Sequence, residues 1–478
     1  VIRATADDLR MAVAGQWIGG APEAIAGVGT DTREALAGRL FVALRGERHD
    51  AHQFLRDAAR AGAVAALVDR KAGSHERPAG LPLLEVGDTR VALGDLARWW
   101  RSRFRGRVVG ITGSSGKTTT RRLLHAALGA AMRGSASPKS FNNDIGVPLT
   151  ILGADAADGY LVCEIGMSHP GEIAPLARMA ALHMAVITMA GSAHLEGLGS
   201  LEAIRHEKAS LVDGLHTTGV AVVNGDQPDL VAAVEARLKP GVRLATFGTG
   251  SACQWRLVSR VVRQGGGQNV RAREPDGSEA EWSLVLPGDF NAMNALAAYA
   301  AARLMGVPRE AVTGALATVG PADMRMTPVR IGAMTLVNDA YNANPDAVLA
   351  SLGAFREITG GDAPSARRVV VLGDMLELGA ASAERHAEVG RAVAALGPAL
   401  AVFVGGASRH GAEACRAAGT EVVHVPALDD AGVAAIAARL RPGDAILLKG
   451  SRGSRMERVE AALRALSGSA EAAACSTT

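Results

Sequence analysis

A short β-branched run, Arg107-Val108-Val109-Gly110-Ile111-Thr112, breaks at Gly113 and leads into Ser114-Ser115-Gly116-Lys117-Thr118-Thr119-Thr120. Arg121 to Met132 then has the spacing of a helix. Strand, glycine turn and helix start together form a cradle for an anion, because backbone N–H groups and the positive end of the helix dipole face the same point. Lys117 is placed to reach terminal phosphates, and the hydroxyl of Thr118 to ligate Mg²⁺. The long form of this motif asks for another Gly at position 111, where this chain has Ile, so the shorter G-x-x-G-K-T remains. A plain glycine turn with an exposed lysine is the alternative, and it leaves three consecutive threonines unexplained.

The chain has 478 residues, which suggests about three domains. Its hydrophobic fraction is 48% with only 3% aromatic, so the core must be built from Ala, Val and Leu. A net charge of +3 on 51 basic and 48 acidic residues gives no electrostatic case for nucleic acid or an anionic membrane. Cys163, Cys253, Cys415 and Cys475 lie far apart, without metal spacing, and suit a reducing cytosol. No apolar run approaches ~18 residues, and Val1 to Met11 lacks the apolar centre of a secretion signal. The expectation is a cytoplasmic, monomeric enzyme without membrane insertion.

Residues 1–104 form a first block, with a turn Asp31-Thr32-Arg33, a strand within Gly38–Leu44, a helix over Phe54–Ala61 and a strand over Val64–Val68. Thr32 and Arg33 could hold a sugar or phosphate, although spacing alone favours a solvated turn. In residues 105–319 the runs Tyr160–Ile165, Met184–Thr188 and Val220–Asn224 alternate with helices, as βαβ units in a parallel sheet do. Glu164, His194, Asn224 and Asp226 fall beyond the C-terminal strand ends, where such sheets bind ligands. Residues 254–286 read as an antiparallel ribbon beside that sheet, turning at Gly265-Gly266-Gly267. Residues 320–478 repeat the strand–helix alternation as a second doubly wound unit, and the tail from Ser467 is expected to be disordered.

Several residues carry candidate chemistry. Glu164 offers oxygen to a hard cation, or a helix cap or ion pair. His194 reads equally as a ligand or a surface histidine. Lys208 shares a helix side with Ile204 and Leu211. Desolvated, its amine would be neutral and able to capture CO₂ as a carbamate, but the ordinary reading is a solvated lysine near Glu207. Asn291 and Asn294 lie one turn apart and can read a purine edge, with helix capping as the competing role for Asn291. Three polar loops, Asp339–Pro345, Gly373–Gly379 and Lys449–Arg452, suggest a second ligand site facing the phosphate turn.

With Asn142-Asn143-Asp144-Ile145-Gly146, Glu164-Ile165-Gly166-Met167 and Gly171-Glu172-Ile173 added, these motifs resemble the Mur ligases of peptidoglycan synthesis over all three blocks. The resemblance implies an α/β fold of three domains: a small α/β N-terminal domain for the UDP-sugar, a central P-loop parallel-sheet ATPase domain, and a C-terminal Rossmann-like domain for the incoming amine. The implied reaction joins D-alanyl-D-alanine to UDP-N-acetylmuramoyl-tripeptide through an acyl phosphate, with ATP and Mg²⁺. Lys117, Thr118 and Glu164 would serve ATP phosphates and a first Mg²⁺, and His194 and carbamylated Lys208 a second. Asn291 and Asn294 would face adenine, Arg325 and Asp339 the phosphate and ribose, and Asn142 and Asn143 the muramyl peptide. Thr32 and Arg33 would serve the UDP-sugar, with Tyr341, Asn342, Lys449, Ser451 and Arg452 as further substrate contacts. Two departures stand out: Thr32 replaces the usual Ser, and Asp289-Phe290 precede Asn291 where His is common. The sister ligase that adds the third peptide residue usually carries Asp-Asn-Pro-Arg, absent here. Folylpolyglutamate synthase shares the architecture but not the Asp339–Pro345 loop, and a P-loop ATPase of other function remains the reading from a different class.

Overall fold

The computed structural model describes residues 2–46, 49–70, 78–263, 266–361 and 364–465. The expected disordered tail and part of the Gly265–Gly267 turn lie outside these residues. Among them the strands form three main sheets and one two-stranded pair.

The largest sheet has nine strands and is organised around Arg107–Thr112. Tyr160–Glu164 lies parallel on one side of it, in register Glu164↔Ile111, and Leu182–Ile187 on the other, in register Ile187↔Thr112. The chain therefore changes direction across the sheet at this strand, and the crevice beyond its C-terminal end is a switch point where ligands bind. Alternation puts successive side chains into opposite cores. Val109, Ile111, Val162 and Val186 pack with Leu123, Leu124 and the alanine-rich Asp289–Leu304 helix. Val108, Leu161, Cys163 and Ile187 pack with Ile173 and Leu176 on the other face. Small side chains at Ala295, Ala298 and Ala302 let a helix with few aromatics bury almost completely.

The region read as a separate ribbon continues this sheet instead. Trp255–Val262 pairs parallel with Arg243–Gly248, and Gln268–Arg273 and Glu279–Leu284 extend it antiparallel. Trp282 stacks on Tyr299 of the alanine-rich helix at 4.9 Å, which anchors the extension to the core. Alternation predicted the strands but could not show which edge they join.

The N-terminal sheet has five strands in the order Gln16–Ile18, Leu83–Val86, Ala65–Asp69, Leu40–Val42, Val28–Gly29. Its helix Thr89–Arg103 is welded to the middle unit: Trp100 Nε1 donates to Ala154 O at 3.1 Å, and Arg101 donates to Ala180 O and Ala181 O. The C-terminal sheet is a six-stranded doubly wound unit. Its parallel strands are Met334–Asn338, Ala445–Lys449, Arg368–Gly373, Leu400–Val404 and Val422–Val425, in line with the expected strand–helix alternation. An antiparallel edge strand, Thr327–Ile331, was not predicted. No helix among the described residues is long and apolar enough to cross a membrane.

Candidate active site

The phosphate turn opens into a cleft of about 960 Å³ lined by the middle and C-terminal units, with Arg90 of the N-terminal unit at its margin. Two glycines give the turn its shape. A Cβ at Gly113 would lie 1.9 Å from Thr188 Oγ1, and one at Gly116, where φ is +85°, would lie 2.3 Å from Asn294 Oδ1. Thr188 Oγ1 donates to Ser115 O at 2.6 Å, and the Ser114 hydroxyl bonds both Gly191 O and Gly191 N, so the backbone is held before any ligand enters. The helix begins at Lys117, whose Nζ donates to Gly113 O at 2.7 Å. Burial lowers the pKa of this ammonium, and nearby Glu164 acts to raise it.

Glu164, the last residue of its strand, is buried at the base of the cleft. Oε2 accepts from Thr118 Oγ1 at 2.9 Å and Oε1 from Asn142 Nδ2 at 3.0 Å. Arg121, one turn beyond Lys117, brings Nε to 3.5 Å from Oε2, while its terminal nitrogens donate to Ser137 O and Lys139 O. Sequence reasoning missed Arg121, although its i+4 spacing from Lys117 places both on one helix face. Asn143 Oδ1 accepts from Ile145 N and Gly146 N, in the turn that leads into the Gly146–Gly153 helix.

From the C-terminal unit, Arg325 Nη2 donates to Thr118 Oγ1 at 3.0 Å while its guanidinium lies 4.1 Å over the Tyr341 ring. Asp346 accepts from the Ser192 N–H and hydroxyl, each at 2.7 Å. His194 Nδ1 meets Glu377 Oε2 at 2.5 Å, with φ positive at both residues (+64° and +62°), a backbone strain that marks functional sites. The hydrogen bond from His194 is the main cause holding the Glu377 carboxyl below its usual range. Asp346 and Glu377 were not singled out in the sequence. Asp346 stands in the first helical turn after the Asp339–Pro345 loop and Glu377 in the loop after the strand Arg368–Gly373, and those positions were the available signal.

The remaining expected residues divide. Ser114, Ser115, Thr119, Asn142, Asn143, Asn291, Asn294, Asp339, Tyr341, Asn342, Lys449, Ser451 and Arg452 all line the cleft. Asn294 is partly taken up by Thr120 Oγ1 at 3.3 Å, and Asn291 Nδ2 donates back to Pro287 O at 2.7 Å. Asp339 is held by Lys449 Nζ at 2.6 Å, by Ser351 and by Met326 N, and so organises its own unit. Thr32 and Arg33 lie outside the cleft, with Arg33 paired to Asp31 at 2.6 Å. Asn224 lines the cleft, whereas Asp226 closes the Thr249–Gly250 turn and is not part of the lining. The ordinary reading of Lys208 is overturned: the side chain is 1% exposed, because Ile204 and Leu211 on the same side are core residues. Burial first, then the charge of Lys117, push its pKa well down. It lies outside the cleft lining, and Glu207 turns instead to Gly171 N and Ile173 N.

A glycine-turn phosphate cradle facing a second doubly wound unit defines a multidomain nucleotide-using α/β enzyme. The chain belongs to the Mur ligase family. Residues 24–101, 111–302 and 324–452 match, in turn, the models of the Mur ligase family catalytic domain, the Mur ligase middle domain and the Mur ligase glutamate ligase domain. It is 34% identical over 444 residues to the UDP-N-acetylmuramoyl-tripeptide–D-alanyl-D-alanine ligase of Bacillus subtilis, covering 91% of this chain and 92% of that one. The enzyme of the same name from Escherichia coli is 35% identical, over 93% and 95%. Among solved structures, MurF from Acinetobacter baumannii superposes with a TM-score of 0.84 at 29% identity, over 97% and 99% of the two chains. The MurF ligase of Thermotoga maritima in complex with ADP gives 0.77 at 27%, over 93% and 98%.

Proposed function

We propose that this ATP-dependent ligase joins D-alanyl-D-alanine to UDP-N-acetylmuramoyl-tripeptide, giving ADP, phosphate and the pentapeptide precursor of peptidoglycan. One observation carries the reading: the phosphate turn and the polar loops of the C-terminal unit line a single cleft, joined by the Arg325–Thr118 hydrogen bond. An ATPase needs the first of these alone, whereas a ligase must bring a second substrate to the nucleotide.

A carboxylate is a poor electrophile and repels the γ-phosphate. Lys117 and Arg325 supply positive charge where that repulsion is greatest and where negative charge spreads during in-line transfer. A carboxylate oxygen bonds the phosphorus as ADP leaves. The dipeptide amine then attacks the acyl carbon, and phosphate departs with that carboxylate oxygen. Closure of the C-terminal unit over the cleft keeps water from the acyl phosphate.

The oxygens of Thr118 and Glu164, 2.9 Å apart, are hard donors that would hold Mg²⁺. His194, whose Nδ1 meets Glu377 so that the carboxylate orients the ring, would offer Nε2 to a second metal ion. A carbamate on Lys208 would turn a buried amine into a further oxygen ligand. Mg²⁺, when bound, neutralises phosphate charge in the transferring group. Asn291 and Asn294 serve adenine, Asn142 and Asn143 the muramyl peptide, and Thr32 and Arg33 the UDP-sugar. Tyr341, Asn342, Lys449, Ser451 and Arg452 flank the dipeptide. We read Asp339 as supporting Arg325 and Lys449 beside the ribose. ATP and a UDP-linked substrate set the reaction in the cytoplasm, with the chain acting as a monomer.

The test is ADP release that requires both the UDP-muramyl tripeptide and D-alanyl-D-alanine. Release without an amine acceptor points to an ATPase, and release with the dipeptide precursor and a single amino acid points to the sister ligase.

A further inference from the structure

Arg260 lies on the sheet extension, in the strand Trp255–Val262, and bridges three parts of the molecule. Nη1 donates to Gln268 Oε1 at 3.0 Å and to Glu357 Oε2 at 3.1 Å, Nη2 pairs with Glu357 Oε1, and Nε pairs with Asp289. Gln268 is fully buried and donates to Leu286 O and Gly288 O, at 2.8 and 2.9 Å, fixing the turn that starts the Asp289–Leu304 helix. Gly288 O also accepts from Asn291 N at 3.1 Å, so on that side the bridge reaches the first turn of this helix.

On the other side is Glu357, in the last turn of the Pro345–Ile358 helix of the C-terminal unit. The first turn of the same helix carries Asp346, hydrogen-bonded to Ser192, and its cap Asn344 lies 3.5 Å from Ser115 of the phosphate turn. Asp346 and Glu357 are about 16 Å apart along the helix axis. One helix is thus fastened to the middle unit at both ends. Its apolar side chains Val348, Leu352 and Phe355 belong to the core of its own unit, with Phe290 of the middle unit packed against that core, so the polar contacts at its two ends help set how the core sits on the middle unit.

We propose that Arg260 is a positioning residue for the ligation site: its bridge to Glu357 fixes the far end of this helix and so holds Asn344 and Asp346 over the phosphate turn. The kinetic part of the test rests on the ligase reading, and the scattering part does not. Glu357→Gln removes one charge at a part-buried position while keeping the side chain's size, and R260A removes the whole bridge. Each is expected to lower kcat/KM for the dipeptide about tenfold, as loss of a partly buried charge pair does. The double variant should fall no further than the worse single one. High salt should shrink the wild-type advantage. R260K keeps the charge but not the fork and should fall between. Small-angle scattering with ADP and Mg²⁺ should give a larger radius of gyration for E357Q than for wild type. Wild-type kinetics in E357Q, multiplying effects in the double variant, or an unchanged radius would overturn the proposal. If wild type itself shows no dipeptide-dependent ADP release, the ligase reading fails, and the scattering comparison still decides the bridge.

Discussion

The hydroxyl of Thr118 donates to Glu164 at 2.9 Å, so the helix start and the end of the neighbouring strand meet at one pair of oxygens. Asn142 and Arg121 hold the same carboxylate from its other sides, which fixes its orientation. Glu164→Gln keeps size and hydrogen bonding but removes the charge a cation requires. The Mg²⁺ concentration for half-maximal ADP release should rise by roughly tenfold or more, in line with loss of a carboxylate ligand. An unchanged Mg²⁺ titration would remove Glu164 from the metal site.

Lys117 is the one ammonium of the phosphate turn and lies against its own backbone at Gly113 O. Lys117→Ala should reduce turnover by roughly a hundredfold or more, because charge stabilisation of the transferring phosphoryl group is lost. Near wild-type turnover would refute the assignment.

Lys208 is buried beside the charge of Lys117, and both effects favour the neutral amine. A neutral amine can form an N–C bond to CO₂ and release a proton. ¹³C-bicarbonate should therefore give a carbamate resonance in the wild type that is absent from Lys208→Gln. A spectrum identical in the two proteins would leave Lys208 an unmodified core lysine.

His183 accepts a hydrogen bond from Val108 N at 3.0 Å through Nδ1 and packs its ring 4.8 Å from that of His216. Burial, followed by the charges of Arg101, His216 and Arg107, lowers its pKa from 6.5 to about 4. The unfolded chain then binds more protons than the folded one between these values. The contribution of His183 to stability is complete above about pH 6.5 and is lost as pH falls toward 4. Thermal midpoints of the wild type should drop across that window, and His183→Gln should show a shallower drop. Parallel curves would contradict the assignment.

Much of the site was legible because its residues occupy strand ends and helix starts, positions that βαβ periodicity locates. The phosphate turn, Glu164 and the C-terminal loops came from that rule. The local reading of Lys208 as a solvated lysine failed because burial depends on what packs over a helix, and Ile204 and Leu211 announce a core side only once the neighbouring elements are known. The sheet extension was misplaced because alternation gives strands but not partners. Arg260, Asp346 and Glu377 escaped for a related reason. Each acts across a junction between units separated by about a hundred residues or more, and no local spacing records such a contact.

The central claim is that a carboxyl group is activated by phosphorylation before the amine attacks, and isotope transfer tests it most directly. UDP-muramyl tripeptide labelled with oxygen-18 in its terminal carboxyl is converted with unlabelled ATP and D-alanyl-D-alanine, and the inorganic phosphate is analysed by mass spectrometry. An acyl phosphate requires one labelled oxygen to pass from the carboxyl to phosphate at each turnover. Phosphate free of label beside an active enzyme would contradict the account.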